Sequence, residues 1–285
     1  MFVQERQNAY RMKDLFDRVS FRCSRIITRT YSTSFSMGIR LLAPRFRGPV
    51  CGIYGFVRLA DEIVDSFHAY PKEKLLEQLR RQTHEAIAER ISLNPVLNSF
   101  QAVVHAYQID RELIDTFLDS MEMDLRKQFY TKSLYEKYIF GSAEVVGLMC
   151  LKIFTEGDKN AYETLKYPAM KLGSAFQKVN FLRDIRADTL ELGRIYFPDV
   201  HLERFSVEDK AAIEAEIDAD FREALTGIRQ LPAGARKGVF LAYRYYRLLF
   251  DKIRRLPPRQ IMVGRVRVPN VWKLGLMLRS FVSIP

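Results

Sequence analysis

The sequence predicts an all-α fold in a single domain, on three observations. Apolar residues recur at helical spacing along almost the whole chain. The breakers are few, 14 Gly and 11 Pro in 285 residues, and the prolines fall between periodic segments. No strand-rich block, repeat or low-complexity linker interrupts the pattern. About ten helices around one core is the economical arrangement.

The elements follow in order. Residues 1–12 read as a flexible N-terminus, and Asp14 to about Arg29 repeats Leu15, Val19, Cys23, Ile26 and Ile27 at helical spacing. Pro44 to Pro49 reads as a break, followed by an apolar stretch from Val50 to Phe67. Pro71 precedes an amphipathic segment with Leu75, Leu76, Leu79, Ile87 and Ile91 on one side. Pro95 opens a segment reaching His105, and Asp110 is the expected N-cap of the next, to about Phe129. Ile139 to Phe154 is apolar on every face, as a central buried helix is. A long helical pattern runs from Lys159 to about Leu192, with a bend expected near Pro168. Two more run from about Val207 to Arg229 and from Ala233 to Arg255.

Composition excludes several classes. With 48% hydrophobic and 28% charged residues the chain is globular, neither disordered nor fibrous. No apolar run approaches the roughly 20 residues that span a bilayer, and the polar start (Gln4, Glu5, Arg6) has no signal-peptide core. Cys23, Cys51 and Cys150 stand far apart, which excludes a disulfide framework or common zinc site and suits a reducing cytoplasm. The net charge of +11 is concentrated at one end: residues 252–285 hold eight Lys or Arg and no Asp or Glu. No nucleic-acid-binding motif accompanies that charge, so no nucleic-acid partner is expected. The basic run leads into Trp272, Leu274, Leu276, Met277, Leu278 and Phe281, a mixture suited to peripheral contact with the inner face of an anionic membrane.

Two carboxylate clusters carry chemistry. In Arg58-Leu59-Ala60-Asp61-Glu62-Ile63-Val64-Asp65, Asp61 and Asp65 share one helix face about 6 Å apart along the axis. Like charges so placed in an apolar segment repel, and a cation would reverse the sign. In Gln177 to Asp188, the oxygen-bearing Asn180, Asp184 and Asp188 recur every four residues. Oxygen ligands without His or Cys select a hard ion such as Mg²⁺, with Mn²⁺ as the alternative. Such an ion keeps waters and takes substrate phosphate oxygens, so two facing stripes suit a metal–diphosphate.

These motifs, with Tyr31-Ser32-Thr33-Ser34-Phe35 before them, Tyr54-Gly55-Phe56-Val57 leading into the first and Gly193-Arg194-Ile195-Tyr196-Phe197-Pro198 after the second, resemble the squalene/phytoene synthase family, with bacterial phytoene synthases as the nearest likeness. The resemblance covers roughly Arg22 to Arg267. It implies a helical bundle of the isoprenoid synthase type with a deep central cavity, and head-to-head condensation of two prenyl diphosphates. It further implies Asp61, Asp65, Asn180, Asp184 and Asp188 as the metal-binding set. Ser32, Ser34, Phe35, Tyr54, Arg58, Gln177, Arg183, Tyr196 and Arg265 match positions that contact diphosphate or shape the site, and Tyr246 matches one near the reacting centre.

The implied product is phytoene from geranylgeranyl diphosphate, through a cyclopropyl diphosphate and without NADPH. Squalene or dehydrosqualene from farnesyl diphosphate is the alternative within the family, and an inactive binding relative the alternative outside enzymes. A class I terpene cyclase is disfavoured because Glu62, not a second aspartate, follows Asp61. One departure stands out: where some members carry a Tyr in the buried helix, the matching residue here is Phe140. Its ring can steady a cation through its face but cannot move a proton; Tyr138 or Tyr135 are the candidate substitutes.

Overall fold

The computed structural model describes residues 2–126, 130–190, 193–198 and 205–262, with side chains from Met12 onward. Among the described residues there are helices and no extended strand. The helices are α1 (Phe2–Tyr31), α2 (Thr33–Arg40), α3 (Pro44–Asp65), α4 (Lys72–Glu89), α5 (Pro95–Tyr107), α6 (Arg111–Met123), α7 (Lys132–Ile139), α8 (Val145–Thr155), α9 (Lys159–Leu190), α10 (Val207–Gln230), α11 (Ala233–Arg254) and α12 (Pro258–Ile261), with a π-helical turn, Phe140–Glu144, joining α7 to α8.

Local chemistry sets these limits. Asn94 and Thr131 accept hydrogen bonds from the first-turn amides of α5 and α7, and Ser206 with Asp209 forms a reciprocal capping box on α10. Asp110 stands at the start of α6 as expected, yet its side chain caps nothing and pairs with Lys152 at 2.8 Å. The expected break at Pro44 to Pro49 is instead the start of α3. Pro44 occupies the first turn, where an amide has no helical partner to lose, and the helix continues through Pro49. α9 likewise runs uninterrupted through Pro168. Residues 2–12, expected to be flexible, form the first turns of α1. From residue 263 on, including most of the basic C-terminal run and Arg265, the calls lie outside the described residues.

Two apolar clusters make the core. One centres on Phe46, Phe56, Phe100, Phe117, Leu148 and Met149, the other on Phe181, Leu182, Phe221, Leu249 and Phe250. The segment Lys132–Thr155 is, by length and composition, apolar enough to cross a membrane, although the sequence shows no single run that long; just over half of its most apolar window (56%) is buried. It packs against α3, α6 and α9, which is how a central core helix behaves.

The π turn corrects one expectation. It adds a residue to the turn, and Phe140 emerges 37% exposed while Tyr138, two residues earlier, is buried. Close packing of the turn against α9 requires glycine at 173, where an added Cβ would lie 2.5 Å from the Ala143 carbonyl oxygen. Gly173→Ala is therefore expected to cost roughly 1–3 kcal/mol by overpacking, visible as a lowered melting temperature; an unchanged melt would show that the turn yields freely.

α1 reverses the expected pattern. Its periodicity is helical, as predicted, but the face it turns to the bundle is mostly small and polar: Ser20, Ser24 and Thr28 are essentially fully buried against α3 and α5, with Phe21 beside them packing on the first core cluster. Ser24 Oγ and Ser99 Oγ lie 2.6 Å apart, and Asn98 Nδ2 donates to Asp17 Oδ1 (2.9 Å) and Ser20 Oγ (3.1 Å). Those paired hydroxyls satisfy the buried contact, so the apolar stripe Met12, Leu15, Val19 and Ile26 faces outward.

Candidate active site

A cavity of about 940 Å³ opens between the two core clusters, at the top of the usual range for ligand sites. On α3, Tyr54, Arg58, Asp61 and Asp65 fall on one face and line one wall. On α9, Gln177, Asn180, Asp184 and Asp188 do the same from the other side, with Arg183 at their edge. The start of α2 contributes Ser32, Ser34 and Phe35, and α11 contributes Tyr246. Tyr196 enters from the segment after α9. All these residues were singled out by the sequence, and the cavity brings them together. Phe140 is not among its lining residues; Tyr138 is. Tyr135 is buried but turned away, packing on Phe181 and Phe197.

Val146 and Phe154 of α8 and Leu172, Gly173 and Phe176 of α9 line the cavity, whereas Met170 packs into the first core cluster. Glu144 is outside the lining; burial pushes its carboxyl up to about 7, against the pull of Lys171. His68, His84 and His105 serve surface and helix contacts away from the cavity, pairing with Lys72, Asp115 and the Ile87 carbonyl respectively.

The carboxylates of the two walls sense each other. Burial, then Asp65, raises the Asp61 carboxyl to about 7. Burial, then Asp184 and Asp65, raises Asp188 to about 8. Asp65 on α3 thus acts on Asp188 of α9 across the cavity. Two arginines partly offset this charge: Arg183 chelates Asp184 through Nε (3.0 Å) and Nη2 (2.5 Å), and Arg194 Nη1 donates to Asp65 Oδ1 at 2.7 Å.

Arg194 and Asp124 are site residues that sequence reasoning missed. Gly193 takes a left-handed φ of 68°, which turns the chain back after α9, and the Arg194 amide donates to the Asp188 carbonyl at 2.8 Å. The Arg194 side chain, 5% exposed, meets Asp65 and also donates to the Val64 (3.2 Å) and Asp124 (2.7 Å) carbonyls. One residue therefore touches both acidic walls. Beneath it, buried Asp124 accepts from Tyr138 (2.5 Å) and Tyr196 (3.0 Å). Burial raises its carboxyl to about 6 although Arg194 opposes the shift. Arg194 belongs to a quoted motif, but Asp124 follows α6 without any periodic partner, so no sequence signal marks it.

Around the cavity's aromatic end, Phe176 stacks on Tyr246 at 3.9 Å, Phe35 stands edge-on to both, and the Tyr246 hydroxyl donates to Asn180 Oδ1 at 3.4 Å. Arg58 lies over the Tyr31 ring at 4.3 Å and pairs with Glu62. Among the described residues no three His, Cys, Asp or Glu side chains converge on one point as a complete cage for an ion.

The raised carboxyls have a consequence for stability. Asp61 and Asp188 hold protons in the folded chain at pH values where the unfolded chain has released them. Their contribution is complete below about pH 4 and is lost as pH rises through about 7 to 8. Asp188→Asn should therefore stabilise the metal-free protein at pH 8 by on the order of 1–3 kcal/mol, with little effect at pH 4. Denaturant melts at both pH values measure this, and equal effects at both would contradict it.

Comparison with known proteins places this geometry. The chain is 28% identical to a chloroplastic phytoene synthase of Zea mays over 284 residues, covering 92% of this chain and 65% of that one. It is also 28% identical to the phytoene synthase of Rhodobacter capsulatus, covering 91% and 80%. It spans roughly two thirds or less of the length of the plant relatives. Its fold is similar to a dehydrosqualene synthase crystal structure (TM-score 0.80, 23% identity, covering 93% and 96%). It is similar too to a squalene synthase structure from Alicyclobacillus acidocaldarius (TM-score 0.72, 22% identity, covering 87% and 96%). The squalene/phytoene synthase family model matches residues 28–272, and the chain belongs to that family.

Proposed function

We propose that this protein is a prenyltransferase that joins two geranylgeranyl diphosphates head to head, forming phytoene through a cyclopropyl diphosphate, without NADPH. The observation that carries the reading is the opposition of the two acidic walls, close enough for Arg194 to contact both Asp65 and the Asp188 backbone. An oxygen-only donor set of this kind fits a hard divalent ion. Asp61, Asp65, Asn180, Asp184 and Asp188 would hold Mg²⁺, or Mn²⁺ in its place, which when bound supplies positive charge to the departing diphosphate.

The protein's own groups account for the rest. Arg58, Arg183 and Arg194 lie in the cavity wall and supply donors to diphosphate oxygens. The start of α2, where the Ser32 hydroxyl accepts from the Phe35 amide, brings Ser32, Ser34 and Phe35 into the same cavity. Ile53, Val57, Val146, Phe154 and Leu172 make the deeper wall apolar and keep water from an allylic cation. Phe35, Phe176 and Tyr246 line the cavity, where a ring face turned to the substrate steadies positive charge. The bond from carbon 1 to diphosphate breaks in one substrate, that carbon joins the double bond of the other, and loss of a proton closes the cyclopropane. The second diphosphate then leaves, and rearrangement with loss of a second proton gives the product, the two released diphosphates taking the two protons. The phenol that Phe140 lacks is supplied to the wall by Tyr138, held against Asp124.

The test is incubation with Mg²⁺ and either the C20 or the C15 diphosphate, followed by mass analysis. A C40 hydrocarbon from the C20 substrate is expected. A C30 product from the C15 substrate alone, or a requirement for NADPH, would reassign the enzyme to squalene or dehydrosqualene formation.

A further inference from the structure

The outward face of α1 has no counterpart in the chemistry above. Met12, Leu15, Val19 and Ile26 fall within about 60° of one another around the helix, and they are 68%, 47%, 39% and 63% exposed. Apart from Phe21, which packs on the core, α1 turns its hydroxyl face inward and leaves this apolar stripe outward, which inverts the rule for a surface helix in water. Bordering the stripe on one side, within the next ~80° of the helical wheel, stand Arg18, Arg22, Arg25 and Arg29, all exposed. From Arg18 to Tyr31 the sequence contains no Asp or Glu. Among the described residues none of these four arginines has a hydrogen bond or ion pair.

We infer that this face of α1 is a docking surface for an anionic lipid bilayer. Large apolar side chains beside a cationic border form the two-part signature of a helix lying in the membrane interface: the apolar stripe enters the acyl boundary and the arginines meet headgroup phosphates. A second copy of the chain is the poorer occupant. In a two-fold interface the same patch meets itself, which would bring two sets of four unpaired arginines together. Geometry adds a reason for the location. α1 ends at Tyr31, and Tyr31 and Ser32 line the cavity, so a bilayer held along α1 lies beside one edge of the chamber. An apolar product leaving that edge enters lipid without crossing water. The surface does not depend on which prenyl diphosphate is used, because binding is measured without turnover.

The experiment uses the full chain with Trp272 replaced by Phe and Ile26 replaced by Trp, so that a single fluorophore reports the stripe. Vesicles of phosphatidylglycerol mixed with phosphatidylcholine at low salt should shift the emission to the blue. Pure phosphatidylcholine should not, and high salt should reverse the shift. In flotation assays of the otherwise unaltered chain, Leu15→Ser with Ile26→Ser, and separately Arg22→Gln with Arg25→Gln, should each lower partition to anionic vesicles by roughly tenfold or more. These side chains are exposed, so the variants' melting curves should match the parent. Vesicle binding with no blue shift and with partition unchanged in both variants would assign docking to another surface and overturn the inference. A dimer of the parent chain in sedimentation equilibrium that Leu15→Ser with Ile26→Ser dissociates would give the face to a second copy and overturn it equally.

Discussion

Asp61→Ala and Asp184→Ala are each expected to lower product formation by at least about 1,000-fold, equivalent to about 4 kcal/mol of lost transition-state stabilisation, while the protein stays folded. Asp61 lines the α3 wall and Asp184 the α9 wall. On the proposed reading, either loss removes one oxygen donor from the set that both walls together present to the diphosphate. The folding half of the expectation has its own physical basis. Asp61 is a half-buried carboxyl in the cavity wall, already pushed to about 7 by dehydration and by Asp65, so neutralising it removes a repulsion and no packing contact of the apolar core. Activity and stability should therefore move in opposite directions, as they do where a site is strained for function. Asp61→Asn keeps the volume and sharpens the contrast: an inactive protein at least as stable as its parent at pH 8. Turnover within tenfold of wild type in either alanine variant would remove the metal-binding assignment. A collapsed melting curve with Asp61→Asn would show that the carboxylate is structural.

Most of the fold was legible because apolar periodicity reports which residues share a helix face, and α9, α10 and α11 fall within a few residues of their expected limits. The α3 and α9 motif residues were legible for a related reason: spacing of three or four residues puts oxygens on one face whatever the tertiary arrangement. Periodicity does not say which way a face points. α1 shows this, since pairing of Ser20, Ser24 and Thr28 satisfies a polar inner face and leaves the apolar stripe outside. Nor does it foresee a change of helical pitch. At the start of the π turn at Phe140–Glu144, Phe140 is at the surface, while the phenol of Tyr138, two residues earlier, is in the cavity wall. Arg194 and Asp124 escaped for a third reason, because both act from chain reversals whose partners are remote in sequence: Asp65 lies 129 residues before Arg194.

Replacing Arg194 should be the most damaging single change outside the aspartate motifs. Its guanidinium is held above its usual pKa: burial opposes the charge, but Asp124, Tyr196 and Asp65 outweigh burial. In exchange it bridges the end of α3, the end of α6 and the return from α9 through bonds to Asp65, the Val64 carbonyl and the Asp124 carbonyl. Arg194→Ala removes all of these and leaves Asp124 buried with, among the described residues, the two tyrosine hydroxyls as its side-chain partners. Breaking a buried ion pair from one side costs about 3–5 kcal/mol, which for a chain of this size lowers the melting temperature by roughly 10 °C. The loss must depend on pH. Burial already raises Asp124 to about 6, and without Arg194 it rises further, so the penalty is greatest at pH 8 and shrinks on acidification as the carboxyl takes its proton. Adding Asp124→Asn to Arg194→Ala should recover part of the stability at pH 8 and little at pH 5, whereas Arg194→Lys restores charge without the forked geometry and should fall between. Product formation should stay low in the rescued double variant, because Asp65 has lost the donor that orients it toward α9. Melting curves of the four proteins at two pH values decide the matter: a single variant within about 2 °C of the parent, or a double variant no more stable than the single at pH 8, would mean that Arg194 does not hold the two walls together.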